Sequence, residues 1–398
     1  MRAVPESNRP LLERLGRVAH KLGARSFLVG GPVRDILLER TGPDTDVAVD
    51  RKAEEFGRAL ARELDGRFTY HSRFLTGTVT LADGSHIDIS STRTETYERP
   101  AVLPRVEPAT IEADLARRDF SINAMALELT PDAFGRLIDP LGGQTDLAAR
   151  TVRVLHEESF SDDPTRIFRA IRFATRFEFA IEPRTLELMR AALRERLPSK
   201  LTPERVLYEL QLVCAEPLVL PALEALLKER VLQSTWDWRP RPGLLVGMRK
   251  LVQSGAGAGL RFVYLLGFLP VTDRWPLRKE DRLVAAAIGS ADALRDGLAR
   301  ARRPSEVYRL LHPVPRPALE VLSRIETAPA ARRIRAYLDT MADARPGLAG
   351  ADLKALGLRP GPLFSRVLDK LLWARLDGRV TDRAGELALC RRLIRSAK

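Results

Sequence analysis

The chain has 398 residues, 45% apolar and 29% charged, which is enough apolar material for more than one core and excludes a wholly disordered chain. It carries 65 Lys and Arg against 52 Asp and Glu, a formal charge of +13, and only two cysteines, Cys214 and Cys390, which excludes a disulfide scaffold and a Cys-rich zinc site. Both thiols lie in apolar helical context and read as buried. There is no apolar leader and no uncharged apolar run of about 18 residues, so the expectation is no membrane span and a cytoplasmic protein. The charge is uneven: residues 1–230 sum to −2 and residues 231–398 to +15. The basic part suits a polyanion. The plain alternative is an Arg-rich composition, 56 Arg to 9 Lys, used in ion pairs.

In chain order, residues 1–22 read as an amphipathic helix. SFLVGG reads as a strand entering a glycine pair, PVRDILLER as a helix, TDVAVD as a strand and FGRALARELDG as a helix. FTYHS, GTVTLAD and SHIDISST alternate with period two and read as successive strands with Gly and Asp turns. Residues 99–108 read as a Pro-punctuated loop, followed by a short charged helix, the apolar run INAMALEL and the turn RLIDPLGG. Beyond about residue 146 strand signals nearly vanish. DDPTRIFRAIRFATRF, RTLELMRAALRERL, PERVLYELQLVC and PLVLPALEALLKERV are all helical by spacing, and helices broken by Pro and Gly continue to the end. The expected fold class is α+β: an α/β head with a mixed or antiparallel sheet, then an all-α remainder.

The first chemical constellation is GGPVRD followed by DTD. Gly30 and Gly31 lie between a strand and a helix, where exposed amides at a positive helix end can cradle a triphosphate. Arg34, one turn in, reads as a phosphate partner. Asp44 and Asp46 are two residues apart on the predicted strand, so period two puts both carboxylates on one face. Like charges that close need a cation, and Mg2+ takes oxygen ligands. Asp88, in HIDIS, reads as a third carboxylate. A Gly-Pro-Asp turn is the bland reading of the same residues.

GGPVRD (Gly30 to Asp35) with DTD (Asp44 to Asp46) resembles the signature of class II tRNA nucleotidyltransferases and the related bacterial poly(A) polymerases, members of the polymerase-β-like nucleotidyltransferase superfamily. RRDFSINAM (Arg117 to Met125) resembles that family's ribose-reading motif, DPLGGQTDL (Asp139 to Leu147) its hinge motif, DDPTRIFRAIRF (Asp162 to Phe173) its base-reading motif and PERVLYEL (Pro203 to Leu210) its last neck motif. GADLKALGLRPGP (Gly350 to Pro362) resembles a tail segment. The resemblance implies a catalytic head over 1–145, a neck over 146–215, a body over 216–300 and a basic tail over 301–398 that binds tRNA. It also implies addition of C and/or A from CTP or ATP to a tRNA 3′ end, with Mg2+ on Asp44 and Asp46. A bacterial poly(A) polymerase is the alternative enzyme, disfavoured because HSRFLTGTVTL lacks the arginine-rich stretch of those proteins. An inert RNA-binding protein is the alternative of another class, disfavoured by the intact Asp44 and Asp46.

Within those motifs each residue has a physical task. Asp119 and Asn123, beside Arg118, can converge on a ribose, and a deoxy sugar would leave them unpaired. Asp163 and Arg166 are three apart on the predicted helix, with Ser161 or Asp162 as its cap and Pro164 in its first turn. An i,i+3 ion pair is their bland reading, and the resemblance implies that they mimic a Watson–Crick partner: an acceptor for the exocyclic amine of C or A, and donors for the ring nitrogen and carbonyl. Arg169 reads as a phosphate contact. Asp139, Gly142 and Gly143 read as a hinge between head and neck. Arg205 and Glu209 read as an i,i+4 pair packing the neck. Arg332, Arg333, Arg335, Arg391, Arg392 and Arg395 add charge for a tRNA arm or elbow. The segment from Thr92 to Asp119 resembles the variant in family members that share the work, so CCA, A-only and CC-only addition all stay open. No protein partner is implied.

Overall fold

Strand β1 (Ser26–Val29) is buried at all four positions, as a central strand covered on both faces must be. In this computed structural model, which describes residues 6, 8–40, 42, 45–96, 105–272 and 275–396, the chain forms two compact units, Met1–Trp238 and Arg239–Lys398.

The first unit opens with helix α1 (Arg9–Lys21), β1, helix α2 (Gly31–Leu37) and strand β2 (Asp46–Val49). The first helix begins at Arg9, with Pro10 in its first turn, later than the expected start. Helix α3 (Ala53–Glu63) and strands β3 (Arg67–His71), β4 (Thr76–Thr80) and β5 (His86–Ser91) follow, then β6 (Arg93–Thr96) and β7 (Arg105–Pro108). The last two pair antiparallel, so residues 105–108, expected as loop, form a strand instead. Thr94 and Thr96 on β6 and Val106 on β7 are β-branched and suit a strand, and Pro108 falls at the strand's end, where it costs least.

Helix α4 (Ile111–Ala116), a 3₁₀ turn at Ser121–Asn123, strands β8 (Ala126–Glu128) and β9 (Leu137–Ile138) and helix α5 (Gly143–Ala148) complete the head. The sheet order is β3-β4-β5-β2-β1-β8-β9. Only β2 and β5 pair in parallel; the other neighbours are antiparallel, giving the mixed sheet expected. Phe27, Val29, Ala48, Ile111, Leu115, Ala124 and Ala126 form one buried cluster against it.

Two short strands, β10 (Thr151–Val152) and β11 (Ala180–Ile181), pair in parallel and bracket helices α6 (Ser159–Asp162) and α7 (Thr165–Phe177). The sequence reads as one helix here. Pro164 breaks it, because a proline disfavours helical backbone in the residue before it, and Asp163 is extended at φ −137° and ψ 95°. Asp163 therefore stands ahead of α7 instead of on it, and neither Ser161 nor Asp162 caps that helix. Helices α8 (Pro183–Arg194), α9 (Pro203–Ala215), α10 (Val219–Lys228) and α11 (Val231–Trp236) finish the unit.

The second unit is all helical: α12 (Leu244–Gln253), α13 (Ala258–Leu266), α14 (Lys279–Gly289), α15 (Ala291–Arg300), α16 (Pro304–Leu311), α17 (Arg316–Ile325), α18 (Ala328–Ala336), α19 (Gly350–Ala355), α20 (Pro362–Leu376) and α21 (Arg383–Arg395). One core gathers Leu298, Leu311, Leu319, Leu322 and Ile334; another gathers Leu348, Leu353, Val367, Leu371 and Cys390. Cys214 and Cys390 are both buried, and neither is in a disulfide. Among the described residues, no helix is long and apolar enough to cross a membrane.

Candidate active site

The sheet brings two acidic residues side by side. Asp46 opens β2 and stands in register with Asp88 of β5, so their side chains leave one face of the sheet on adjacent strands. Asp88 is half exposed, and its Oδ1 accepts from Thr78 Oγ1 at 2.7 Å. Asp44 lies outside the described residues, and among the described residues no group of three His, Cys, Asp or Glu could hold a metal ion.

The turn between β1 and α2 is built on Gly30, at φ 72° and ψ −126°, a conformation that costs a side chain dearly. A Cβ there would also lie 2.6 Å from Nη1 of Arg118, so that guanidinium sits directly against the turn. The Gly30 amide is not open to a ligand, as it donates to the Met125 carbonyl at 3.0 Å. Of the first helical residues, Pro32 has no N–H, which leaves Gly31 and Val33 as the amides without an intrahelical acceptor.

Arg34 departs from its expected place. It is 4% exposed, with Nη1 donating to Asn123 Oδ1 at 2.6 Å and Nε to Asp35 Oδ1 at 2.9 Å. Its guanidinium lies 4.6 Å from the Phe177 ring centroid and 5.4 Å from that of Phe173. Burial pushes its pKa below the ordinary value, against the pull of Asp35.

Asp119 and Asn123 lie in contact with each other. Asn123 Nδ2 donates to Asp119 Oδ1 at 3.0 Å, and Arg169 donates to Asp119 Oδ2 from Nε at 2.9 Å and Nη2 at 2.6 Å. Burial works against charge on Asp119. The Arg169 guanidinium and the Asn123 amide outweigh it and hold the carboxyl down at about 2. Arg169, expected at a phosphate, thus points one edge of its fork at an aspartate. Arg118 pairs with the buried Asp114 at 3.0 Å.

Arg166, one turn before Arg169, is 5% exposed. It donates from Nη1 to Ser159 Oγ at 2.7 Å and from Nη2 to the Arg117 carbonyl at 2.8 Å. Asp163 takes three hydrogen bonds on one oxygen: Oδ1 accepts from Thr165 N at 3.0 Å, Thr165 Oγ1 at 2.7 Å and Arg205 Nη2 at 2.7 Å.

Sequence reasoning missed Arg205, which it placed in a pair within its own helix. Glu209 instead lies 3.9 Å from both Arg169 and Arg172, and burial raises its carboxyl against the pull of those two cations. Arg172 and Arg176 both reach the buried Glu216, at 3.2 and 2.5 Å. A ladder of alternating charge therefore runs Asp119, Arg169, Glu209, Arg172, Glu216, Arg176. The available signal was an acid and a cation in each of two separate motifs.

Asp139 accepts from the Gly143 amide at 2.7 Å and the Gln144 amide at 2.9 Å, capping α5. Gly142 has φ 75°, and a Cβ on Gly143 would lie 2.4 Å from the Ser121 carbonyl oxygen. In the second unit, Arg332, Arg335, Arg391, Arg392 and Arg395 are exposed. Arg333 is spent inside, donating to the carbonyls of Leu298 and Ala301 at the end of α15.

The head thus presents a mixed sheet with Asp46 and Asp88 in register on adjacent inner strands, and a glycine turn entering a helix. Residues 26–153 match the poly A polymerase head domain family. The chain is 33% identical to the A-adding tRNA nucleotidyltransferase of Halalkalibacterium halodurans over 96% of its own length and 91% of the relative's. It is 32% identical to the CC-adding tRNA nucleotidyltransferase of Deinococcus radiodurans, covering 89% of this chain and 85% of that one. The apo form of a CCA-adding enzyme superimposes with a TM-score of 0.81 at 32% identity, over 99% of this chain and 97% of the other. The chain belongs to the tRNA nucleotidyltransferase family.

Proposed function

We propose that this enzyme adds C and/or A residues from CTP or ATP to the 3′ end of tRNA and releases pyrophosphate. One observation carries the reading. Arg166 and Arg169, one turn apart on α7, both bond back to the segment Arg117–Asp119, so the groups assigned to base and to sugar are held as one frame.

In this reading the Gly30–Gly31 turn and Arg118 receive the triphosphate. Asn123 and Asp119 face the ribose hydroxyls. Asp163 keeps Oδ1 occupied and offers Oδ2 to the exocyclic amine of C or A, while Arg166 supplies donors to the neighbouring base positions. The RNA 3′-hydroxyl attacks the α-phosphate directly, and the O–P bond to pyrophosphate breaks. Asp44, Asp46 and, as a third ligand, Asp88 offer the hard carboxylate oxygens that Mg2+ prefers. The register of Asp46 with Asp88 is the observation that fits such a cation. When bound, the ion would draw charge from the phosphate and acidify the attacking hydroxyl. Asp139, Gly142 and Gly143 serve as the hinge between a head (1–145) and a neck (146–215), followed by a body (216–300) and a tRNA-gripping tail (301–398). The reaction belongs in the cytoplasm, with the tRNA.

The test offers tRNA transcripts that lack CCA, end in C or end in CC, with Mg2+ and labelled CTP or ATP. Extension of the CC-ended tRNA by ATP alone marks an A-adding enzyme, extension of the shorter ones by CTP alone a CC-adding enzyme, and both together CCA addition. A long ladder on any RNA marks a poly(A) polymerase, and no incorporation at all overturns the proposal.

A further inference from the structure

Arg34 occupies the place in the sequence where a phosphate ligand would be expected, one turn into the helix after the glycine pair. The structure gives its donors to other partners. Nη1 holds the side-chain oxygen of Asn123 at 2.6 Å, and Nε and Nη2 hold Asp35 at 2.9 and 2.8 Å. The flat guanidinium is packed against the rings of Phe173 and Phe177, both on α7. At 4% exposure it has little room to turn toward a ligand.

The bond to Asn123 has a directional consequence. An amide whose oxygen is fixed by a guanidinium can present only N–H on its other side. One of those N–H groups goes to Asp119 Oδ1 at 3.0 Å, and the second is left for a ligand. Without Arg34 the amide can rotate by 180° and offer its oxygen instead. Asp119 would then face an acceptor, and the donor meant for the sugar would be lost. The two rings also matter. They belong to the helix that carries Arg166 and Arg169, so the same guanidinium sets α2 and Asn123 relative to the helix assigned to the base.

We propose that Arg34 is a positioning residue for ribose recognition: it fixes the Asn123 amide in the orientation that reads a 2′-hydroxyl, and it does not bind the triphosphate. This rests on the reading of the site given under the proposed function. A donor–acceptor pair built for a hydroxyl rejects the sugar that lacks it by a large factor, because both groups are then left unpaired. A freely turning amide can recover a partner and forfeits much of that rejection.

The experiment compares kcat/KM for ATP and 2′-deoxyATP, and separately for CTP and 2′-deoxyCTP, in wild type, Arg34→Lys and Phe177→Leu. Lysine keeps the charge but cannot span Asp35, Asn123 and the rings at once. The expected result is a fall of about tenfold or more in ribose preference for Arg34→Lys, with KM for the deoxynucleotide little changed. Phe177→Leu leaves every hydrogen bond in place and removes one ring, so it should lower the preference by a smaller factor of about three. A phosphate ligand would behave differently: KM would rise equally for both sugars and the preference would stay constant, which overturns the proposal. If Arg34→Lys does not fold, an unchanged preference in Phe177→Leu overturns it on its own. Absence of any incorporation by the wild type would sink the proposed function instead, so the two failures are distinguishable.

Discussion

Arg205 and Asp163 are 42 residues apart in the chain, and Nη2 of one lies 2.7 Å from Oδ1 of the other. The contact fixes Asp163, the side chain proposed to accept from a base, and with Thr165 it occupies one of its two oxygens. Replacing Arg205 by Ala should therefore loosen nucleotide choice more than stability. The pair is 27% and 21% exposed, so its loss costs about 1 kcal/mol. Misincorporation of UTP and GTP relative to ATP and CTP should rise, read in single-nucleotide extension assays beside a melting curve.

Asp119 supplies a pH signature. Its carboxyl, ordinarily near 3.8, is depressed to about 2, so the folded state prefers it ionised. A depressed carboxylate stabilises the fold above about pH 4, and that stabilisation of about 2–3 kcal/mol is lost as the pH falls toward 2. Asp119→Asn should flatten the acid limb of unfolding free energy measured by urea titration between pH 5 and pH 2. At pH 7 it should destabilise by about 2–3 kcal/mol, below the full cost of a broken buried pair because Arg169 keeps 32% side-chain exposure.

Gly143 tests packing against freedom. A Cβ there would come within 2.4 Å of the Ser121 carbonyl and 2.8 Å of Met125, both in the segment that carries Asn123. Gly143→Ala should destabilise by about 1–3 kcal/mol and raise KM for the nucleotide, because relief requires the Ser121–Asn123 turn to move. Gly142→Ala, whose cost is its positive φ with no atom nearer than 3.6 Å, should lower the melting temperature with less effect on KM.

In the second unit, exposed and inward-bonded arginines lead to opposite expectations. The triple change of Arg391, Arg392 and Arg395 to Ala should weaken tRNA binding and reduce its salt slope by about two to three, with KM for ATP or CTP unchanged, as filter binding at several salt concentrations would show. Arg333→Ala should do the opposite. It removes the donor to two α15 carbonyls, so it should lower stability by about 1–2 kcal/mol and leave the salt slope in place.

Local pattern made the sheet legible. The alternation in FTYHS, GTVTLAD and SHIDISST became β3, β4 and β5, and Asp119 and Asn123, four residues apart, are hydrogen-bonded to each other. What failed depended on partners distant in the chain. Pro164 is compatible with a first helical turn and with a break, and only the extended backbone of Asp163 decides between them. Arg34 reads as a phosphate partner because nothing near it announces Phe173 and Phe177, about 140 residues later, as the surface it packs on. Arg205 and Glu209 have the right spacing for each other, yet better acids and cations reach them from α7 and the segment before it.

The ladder from Asp119 to Arg176 also bears on a composition figure, 56 Arg against 9 Lys. Its rungs are shared: Glu209 stands between Arg169 and Arg172, and Glu216 between Arg172 and Arg176. Each guanidinium has two edges and can hand a carboxylate to either side, while an ammonium is a single point that would close one contact and abandon the next. A homologue that exchanged these arginines for lysines would carry the same net charge and lose the wiring that runs from Asp119 to Glu216.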